Sequence, residues 1–321
     1  MNIFLLGGSG FIGTRCIEQL LKNKIYHLSI FDKKVPNTEF TLYKKGDLLV
    51  YDDLKNAIND DGIIINLIAE HRDDVTPISQ YDLVNVQGAR HICQVARERS
   101  IHKIIFTSSM AVYGFALPGT GEDGVIAPFN DYGRTKYEAE QVYMEWLAEN
   151  PEERSLTIIR STVVFGEHNR GNVYNLLRQI ASGRFIMVGN GNNRKSMVYV
   201  ENLAAFIEHC LSFGPGLHLY NYVDKPDFSM NEFVSTCNQY LGKGEQISFR
   251  LPYVLGLSIG KVFDIIARVT RTKFAFSSIR VKKFCTDSTY TSKVSETGFI
   301  PPVTMEEALE RTITYEFKKR P

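Results

Sequence analysis

The first thirteen residues constrain the fold more than any other stretch of the chain. An apolar run from Ile3 to Leu6 has the composition of a buried strand, and glycines follow it at positions 7, 8, 10 and 13. An amphipathic run from Phe11 to Lys22 comes next and predicts a helix. A strand, a tight glycine turn and a helix in this order let the backbone approach a pyrophosphate at the helix N-terminus. This context predicts a nucleotide-binding unit, whereas isolated glycines would indicate only a surface turn.

The residues of this turn differ in their expected roles. Gly7 and Gly10 leave room for the backbone to approach phosphate closely, and Gly13 lets the helix pack tightly on the strand. Phe11 and Ile12 open the helix, so their N–H groups and the positive end of the helix dipole are expected at the phosphates. These five residues form the first part of a predicted cofactor site.

A second apolar strand, Leu28 to Phe31, leads directly into Asp32. An acidic residue about 20 residues after such glycines binds the ribose hydroxyls of a dinucleotide and repels a 2′-phosphate, which favours NAD over NADP. Lys33 and Lys34 follow directly and could pair with such a phosphate, and Asp32 could equally be an exposed turn residue. NADP therefore stays an alternative.

Strand and helix patterns alternate through the first half of the chain. The runs Ile63 to Ile68 and Lys103 to Phe106 predict strands buried on both faces, with a helix at Tyr81 to Arg99 between them. This alternation predicts a doubly wound parallel sheet, in which ligands lie beyond the carboxyl ends of the strands. Three further residues are expected at those ends, namely Asp47, Ala69 and Ser109.

One serine, one tyrosine and one lysine form a candidate catalytic group. Tyr132 lies 23 residues after Ser109, and Lys136 lies four residues further on the same face of a predicted helix. An ammonium near a tyrosine lowers the phenol pKa, so Tyr132 could take a proton from a substrate hydroxyl while Ser109 holds the same oxygen. Taken singly, the three are equally well explained as a core tyrosine, a solvated lysine and a capping serine. Together with the glycine turn, they predict an oxidoreductase-type site.

Charge and cysteine content exclude several functional classes. A net charge of +1 with no long basic block gives no support to nucleic-acid binding. The five cysteines include no C-x-x-C pair and their number is odd, which argues against a disulfide framework or a zinc site. We therefore expect no metal, and reduced thiols in a cytoplasmic compartment. The N-terminus lacks the basic region of a signal peptide.

The segment from Leu251 to Val269 needs a separate explanation because it is mostly apolar. Lys261, Asp264 and Arg268 interrupt it, whereas a membrane-crossing helix requires roughly 20 predominantly apolar residues. We expect an amphipathic helix that packs on the protein, and no membrane association. A helix that lies on a membrane surface is the alternative.

The motifs together resemble the extended short-chain dehydrogenases/reductases, in particular the NAD-dependent epimerase/dehydratase group that acts on nucleotide sugars. The resemblance covers most of the chain, and the segment from Asn169 to Tyr199 is similar to enzymes of bacterial surface-polysaccharide pathways. That group contains UDP-N-acetylhexosamine 4-epimerases and 4-ketosugar reductases. The matching residues are Gly7-x-x-Gly10-x-x-Gly13, Asp32, Asp47-Leu48, Ser109 in SSMAVYG, Tyr132-x-x-x-Lys136, Arg160 with Val164-Phe165-Gly166, Lys195 to Asn202, and Gly298-Phe299 with Pro301.

The resemblance implies an architecture and an assembly. It implies a Rossmann doubly wound parallel sheet with a smaller C-terminal α/β substrate domain. The NAD-binding domain would comprise residues 1–165, with 197–223 returning to it, and the substrate domain would lie mainly in 166–321. The resemblance also implies a homodimer through the helices at about 81–99 and 133–149.

The resemblance implies roles for individual residues as well. Asp47 and Leu48 would lie at the adenine and Ala69 at the nicotinamide end of NAD. Ser109, Tyr132 and Lys136 would be catalytic, and the last two would also contact the cofactor.

Three positions depart from the family pattern and concern the sugar side of the site. Val163 stands where an asparagine is frequent, Glu70 replaces the second residue of an alanine pair, and Lys195-Ser196 replaces an Arg-Asp pair. Asn172 is the candidate to replace the missing asparagine.

A nucleoside diphosphate would need cationic partners from the C-terminal half. Arginine is the usual bidentate partner of phosphate, and Arg194 and Arg280 are the candidates that we favour, beside Arg170 and Lys195. Each of these side chains could equally be a solvated surface charge.

The function predicted from these observations is an NAD-dependent 4-epimerase of a UDP-hexose or UDP-N-acetylhexosamine, working through a transient 4-keto sugar. The alternative is an NAD(P)H-dependent reductase of a UDP-4-keto-6-deoxy-hexosamine that uses the same residues. A dehydratase is disfavoured because Met110 and Ala111 follow Ser109, where 4,6-dehydratases of the family carry an Asp-Glu pair. A non-catalytic NAD-binding scaffold is the hypothesis from another class.

Overall fold

The computed structural model of the protein describes residues 1–36, 42–72, 75–247, 249–270 and 277–318. Its strands are β1 Asn2–Leu6, β2 His27–Asp32, β3 Tyr43–Lys45, β4 Ile63–Asn66, β5 Lys103–Ser109, β6 Ser155–Ser161, β7 Val163–Phe165, β8 Met187–Val188, β9 Arg194–Tyr199, β10 Gly216–Tyr222, β11 Asp224–Ser229 and β12 Arg250–Leu251. Its helices are α1 Phe11–Leu20, α2 Tyr51–Ala57, α3 (Ser79–Tyr81, π-helical Asp82–Gln87, then Gly88–Glu98), α4 Asp131–Ala148, α5 Asn172–Ala181, α6 Val200–His209, α7 Met230–Tyr240, α8 Tyr253–Thr270, α9 Ser278–Cys285 and α10 Met305–Ile313.

The predicted parallel sheet is present and has seven strands, in the order β10-β6-β5-β4-β1-β2-β3. Every pairing within it is parallel. The carboxyl ends of β1, β4 and β5, in the middle of the sheet, therefore lie side by side at one edge. The residues 216–222 form the strand next to β6, so this part of the chain belongs to the sheet.

Side chains of β1 alternate between the two faces of the sheet, as the period of a strand requires. Ile3 and Leu5 pack on one face with α1 and α6, and Phe4 and Leu6 pack on the other with α2, α3 and α4. Because helices cover both faces, continuous apolar runs such as Ile63–Asn66 are fully buried.

A second core lies in the C-terminal half. It surrounds a three-stranded sheet with the order β11-β9-β7, and α5, α7 and α10 pack against it. Phe11 and Ile12 at the start of α1 also contact this core. The glycine turn therefore lies where the two cores meet.

The apolar helix α8 differs from the sequence-based expectation. Gly256 and Gly260 are its only buried residues, and most of its large apolar side chains are exposed instead of packed on the protein. Its contacts with the rest of the fold are chiefly with α9. Among the described residues, no helix combines the length and the apolarity needed to cross a membrane.

Candidate active site

Two glycines of the turn after β1, Gly7 and Gly13, cannot be replaced by larger residues without a shift of the backbone. Gly7 has φ of +87°, and a Cβ atom there would lie 3.1 Å from the backbone nitrogen of Ile68. A Cβ atom on Gly13 would lie 2.3 Å from the carbonyl oxygen of Gly7, which real structures do not tolerate. The close contact of Gly13 with the turn fixes the direction of α1 relative to β1, as predicted for a pyrophosphate-binding turn.

The N-terminus of α1 is open to an anionic ligand. Gly10 is the N-cap residue and offers no side chain to the first N–H groups, and the first turn contains no acidic residue. Phe11 and Ile12 begin the helix and are half-buried. Free N–H groups and the helix dipole together make such a terminus a phosphate site. These features fit the pyrophosphate of a dinucleotide.

Asp32 is tied to the glycine turn at the end of β2. Its carboxylate accepts hydrogen bonds from the backbone N–H groups of Ser9 at 3.0 Å and Lys34 at 3.0 Å. Lys33 forms an ion pair with Asp47 at 2.9 Å, so the ammonium that could have bound a 2′-phosphate already has a carboxylate partner. Leu48 is buried, and its carbonyl oxygen is hydrogen-bonded to His91. This arrangement favours NAD over NADP.

Ser109 and Tyr132 meet because two turns pack tightly. Ser109 ends β5 and caps the short 3-10 helix Met110–Tyr113, accepting from the N–H of Ala111 at 3.2 Å. A Cβ atom on Gly133, at the start of α4, would lie 2.3 Å from the carbonyl oxygen of Ala111. This contact brings the start of α4 against the end of β5, where Ser109 lies close enough to the Tyr132 phenol to lower its pKa.

Lys136 is 2% exposed and lies one helical turn beyond Tyr132. Its Nζ donates to the carbonyl oxygen of Thr107 at 2.6 Å and lies 4.1 Å from the centre of the Phe106 ring. Burial lowers the pKa of Lys136 to about 7, and the charge of Glu140 opposes this only in part. The side chain is therefore poised between its charged and neutral forms near neutral pH.

The pKa of Tyr132 behaves differently from the sequence-based expectation. Burial raises it, and the hydrogen bond from Ser109 opposes that rise. The expected lowering by Lys136 is not observed, because the ammonium is directed to Thr107 and is itself disfavoured by burial. In this state Tyr132 is a neutral phenol, so it must lose its own proton before it can accept one from a substrate hydroxyl.

Asn85 is a residue of the site that the sequence analysis missed. It is 5% exposed on α3, and it exchanges hydrogen bonds with the backbone of Glu70 at 2.9 and 3.1 Å. Its amide also donates to the hydroxyl of Thr135 at 2.9 Å. Asn85 thereby ties the loop after β4, which contains Ala69, to the turn of α4 that carries Lys136. A polar residue within the apolar pattern of the predicted helix was the available signal.

The carboxylate of Glu70 is neutralised within its own loop. It forms a bidentate contact with Arg72 at 3.0 and 3.1 Å. The hydrogen bond from Arg72 lowers the pKa of Glu70, with burial opposing. Glu70, which stands in place of the second alanine of the family's pair, therefore places an ion pair beside Ala69 and does not place an isolated negative charge there.

A buried ion pair supports the catalytic side of α4. Glu140 is fully buried and accepts from Arg160 at 2.6 and 3.0 Å, and from Ser108 at 2.5 Å. It thus joins α4, β5 and β6 directly behind Ser109 and Lys136. Its sequence signal was its position four residues after Lys136, which places both on one helix face.

The predicted substrate contacts are in the C-terminal half, and among the described residues no hydrogen bond joins Asn172 or Arg194 to the catalytic group. Asn172 is exposed at the first position of α5. Arg194 begins β9, and its guanidinium contacts the carbonyl oxygen of Asp227 at 2.7 Å and the carboxylate of Glu232 at 3.3 Å. Arg280 is exposed on α9. Their substrate roles stay predictions.

A parallel seven-stranded sheet with a glycine turn after its first strand defines a dinucleotide-binding protein. A family model, described as the NAD dependent epimerase/dehydratase family, matches residues 3–221. The chain belongs to this family.

Two curated relatives and one solved structure illustrate the similarity. The chain is 46% identical to the N-acetyl-alpha-D-glucosaminyl-diphospho-ditrans,octacis-undecaprenol 4-epimerase of Escherichia coli O157:H7, over 98% of this chain and 95% of that protein. It is 27% identical to the UDP-glucose 4-epimerase of Vibrio cholerae, over 97% of this chain and 94% of that protein. The fold matches a UDP-glucuronic acid 4-epimerase from Bacillus cereus in complex with NAD, with a TM-score of 0.75, 19% identity and 98% of each chain covered.

These comparisons confirm several predictions. They confirm the resemblance to the extended dehydrogenase/reductase family and the Rossmann doubly wound fold. They also confirm that the protein is an enzyme and that its cofactor is NAD. The predicted 4-epimerase function agrees with the names of both curated relatives.

Proposed function

We propose that this protein interconverts the C4 epimers of an N-acetylhexosamine that is carried on a diphosphate. The observation that carries the proposal is that Ser109 lies close enough to the Tyr132 phenol to lower its pKa, at the sheet edge where the glycine turn and Ala69 also lie. A phenol and a hydroxyl that share one position can hold a single substrate oxygen and move its proton.

We propose that Tyr132, once ionised to the phenolate, takes the proton of the C4 hydroxyl and returns it after the sugar has turned over. Ser109 holds the same oxygen in line. Lys136, with its pKa of about 7, would supply positive charge toward the phenolate when the Thr107 hydrogen bond is exchanged. The ion pair between Glu140 and Arg160 ties α4 to β6, and the hydrogen bond from Ser108 to Glu140 ties α4 to β5, so that α4 stays in place during these steps.

The residues of the glycine turn fit NAD. Gly7, Gly10, Phe11, Ile12 and Gly13 would hold its pyrophosphate. Asp32 would hold the adenosine ribose, Asp47 and Leu48 would flank the adenine, and Ala69 would flank the nicotinamide. When bound, NAD supplies an acceptor and then a donor for the C4 hydride, so that the sugar passes through a 4-keto form.

The carrier that we favour is a polyprenyl diphosphate. The E. coli relative, whose name specifies such a substrate, shares 46% identity with nearly the whole chain. A uridine diphosphate carrier, as in the name of the V. cholerae relative, is the second candidate, and the 27% identity makes it the weaker one. A reductase that uses the same residues stays the alternative reaction.

We also retain the predictions on domains, assembly and location as proposals. The NAD-binding domain would comprise 1–165 with 197–223, and the substrate domain the remainder of 166–321. A homodimer would form through α3 and α4. A cytoplasmic location is supported by the cysteines, which are all free, with four of the five buried.

The proposed reaction can be tested with two substrates and one variant. Purified protein, with no nucleotide added, would be offered N-acetylglucosamine on a polyprenyl diphosphate and on UDP, and the sugars released by acid would be separated. We expect the 4-epimer from the lipid-linked substrate, bound NAD in the denatured supernatant, and no epimer from Tyr132→Phe. If the protein converts only UDP-N-acetylglucosamine, the carrier is uridine diphosphate and not a polyprenyl diphosphate. If it instead needs added NADH and a 4-keto sugar, the reaction is the reduction and not the epimerisation.

A further inference from the structure

The helix α8 presents an apolar face to solvent. Between 36% and 78% of each of its large side chains on this face is exposed. The face continues along the helix at the spacing of an amphipathic pattern, with Ser258 as the one polar interruption. We call the following seven residues the apolar face of α8: Val254, Leu255, Ile259, Val262, Ile265, Ile266 and Val269.

The opposite side of α8 holds its small and acidic residues and makes the contact with α9. Gly256 and Gly260 are buried there, and a Cβ atom on Gly260 would lie 2.7 Å from the backbone nitrogen of Ser278. Asp264, the one acidic residue of the helix, accepts from that same N–H at 3.3 Å. The helix is therefore amphipathic in the reverse sense to a core helix, because its polar anchor faces the protein and its apolar stripe faces outward.

Positive charge flanks the apolar face on one side. Lys261 and Arg268 are exposed, and their spacing of seven residues places them along the same flank of α8. The sequence from Arg250 to Cys285 contains eight basic residues and one acidic residue, although the whole chain has a net charge of only +1. A stripe of aliphatic side chains flanked by cations matches the interface of an anionic lipid bilayer. There the aliphatic side chains contact the acyl chains while the cations contact the anionic headgroups.

Helix α9, which packs on α8, also contacts the segment in front of the helix that carries Tyr132. On α9, the Nζ of Lys283 lies 4.1 Å from the centre of the Phe129 ring. Phe129 precedes the N-cap of α4, the helix that carries Tyr132, and its ring packs against that of Phe115 with 4.9 Å between ring centres and a tilt of 36°. Both phenylalanines are exposed, by 42% and 56%. An exposed aromatic pair therefore lies next to α9, in front of the helix that carries Tyr132.

We propose that the apolar face of α8 docks this protein on the surface of an anionic lipid bilayer, with α8 lying in the plane of the interface and Lys261 and Arg268 at the headgroups. Bilayer binding goes beyond the proposed function and does not depend on it. Its purpose, to bring the site to a lipid-carried sugar diphosphate, rests on that function.

Vesicle flotation tests the docking without any use of activity. Wild-type protein would be mixed with phosphatidylcholine vesicles that contain about 30% or no phosphatidylglycerol, because a negative surface attracts Lys and Arg side chains. We expect flotation with the anionic vesicles and weak flotation with the neutral ones. The double variant Val262→Glu/Ile265→Glu should lose at least about tenfold in partitioning, because it buries charge in place of aliphatic area. The control is Ile300→Glu, which changes a residue that is 83% exposed elsewhere on the protein.

The outcomes separate the proposal from its alternatives. Wild-type protein that stays at the bottom with both vesicles overturns it, and so does flotation that the double variant retains. If the wild-type protein is a dimer that binds no vesicles and the double variant is a monomer, a second copy of the chain covers the apolar face and the proposal is overturned. If the protein floats but converts no lipid-linked sugar, the proposed carrier fails and the docking stands. Epimerisation of a substrate in detergent should be equal for wild type and double variant, which shows that the variant is folded.

Discussion

Replacing Lys136 with methionine gives the most quantitative test of the site. Methionine has a similar length and no charge, so it removes the ammonium from a site that is 2% exposed with little change in volume. The ordinary lysine pKa of 10.5 falls to about 7 in the folded protein. The folded protein therefore carries a destabilisation of about 5 kcal/mol below pH 7, because its buried lysine resists protonation and the unfolded chain does not.

The sign of the pH dependence follows from the two pKa values. Between pH 7 and 10.5 the unfolded lysine binds a proton that the folded one releases, so wild-type stability rises with pH. From pH 7 to pH 9 the wild type should gain about 2 kcal/mol relative to Lys136→Met. The lost hydrogen bond to Thr107 shifts the variant equally at both pH values, so it cancels from this comparison.

Urea unfolding after cofactor removal measures the difference. The single tryptophan, Trp146, is fully buried on α4 and reports the loss of that helix through its fluorescence. The variant Lys45→Met, at an exposed position on β3, is the matched control and should show the same difference from wild type at both pH values. A stability difference for Lys136→Met that does not change from pH 7 to pH 9 would refute the argument that burial controls this lysine.

Three further predictions concern the catalytic proton, the glycine turn and the buried ion pair. Tyr132→Phe should lower kcat about a thousandfold while the NAD content of the purified protein stays unchanged. A much smaller loss of kcat in steady-state assays would show that Tyr132 does not transfer the proton. Gly13→Ala should cost at least about 2 kcal/mol in urea unfolding and reduce bound NAD, because its Cβ atom meets backbone at 2.3 Å. Gly214→Ala, with open space around it, should be neutral, and equal effects at the two glycines would contradict the geometry. Glu140→Gln should cost about 3–5 kcal/mol because it leaves a buried guanidinium without its carboxylate partner, whereas the exposed Glu138→Gln should cost less than about 1 kcal/mol.

The sheet and the cofactor turn were predictable because their signals are local. Ile3 to Leu6 and the glycines that follow specify a strand, a turn and a helix through sterics alone. The residues at the ends of the parallel strands then lie at one edge by topology. This reasoning also placed Ser109 near the start of the helix that carries Tyr132.

The contacts that tune the site were not predictable, since they join residues far apart in sequence. Asn85 and Glu140 act through Glu70, Thr135 and Arg160, and nothing in a linear pattern indicates such pairings. The pKa of Tyr132 was misjudged for the same reason, because it depends on where the Lys136 ammonium points.

Helix α8 was misjudged for a different reason. Its hydrophobic periodicity identifies an amphipathic helix but does not state which side faces the protein. Only the close contact between Gly260 and Ser278 shows that the small residues face inward.

The most direct test of the central claim follows the hydrogen at C4. Lipid-linked N-acetylglucosamine with deuterium at C4 would be incubated with the purified protein, with no nucleotide added, and the product analysed by mass spectrometry and NMR. The account predicts the 4-epimer with its deuterium still at C4, because the hydride that leaves the sugar returns to it within one closed site. Loss of the deuterium to solvent or to an external nucleotide, or a 4-epimer formed equally well by Tyr132→Phe, would contradict it.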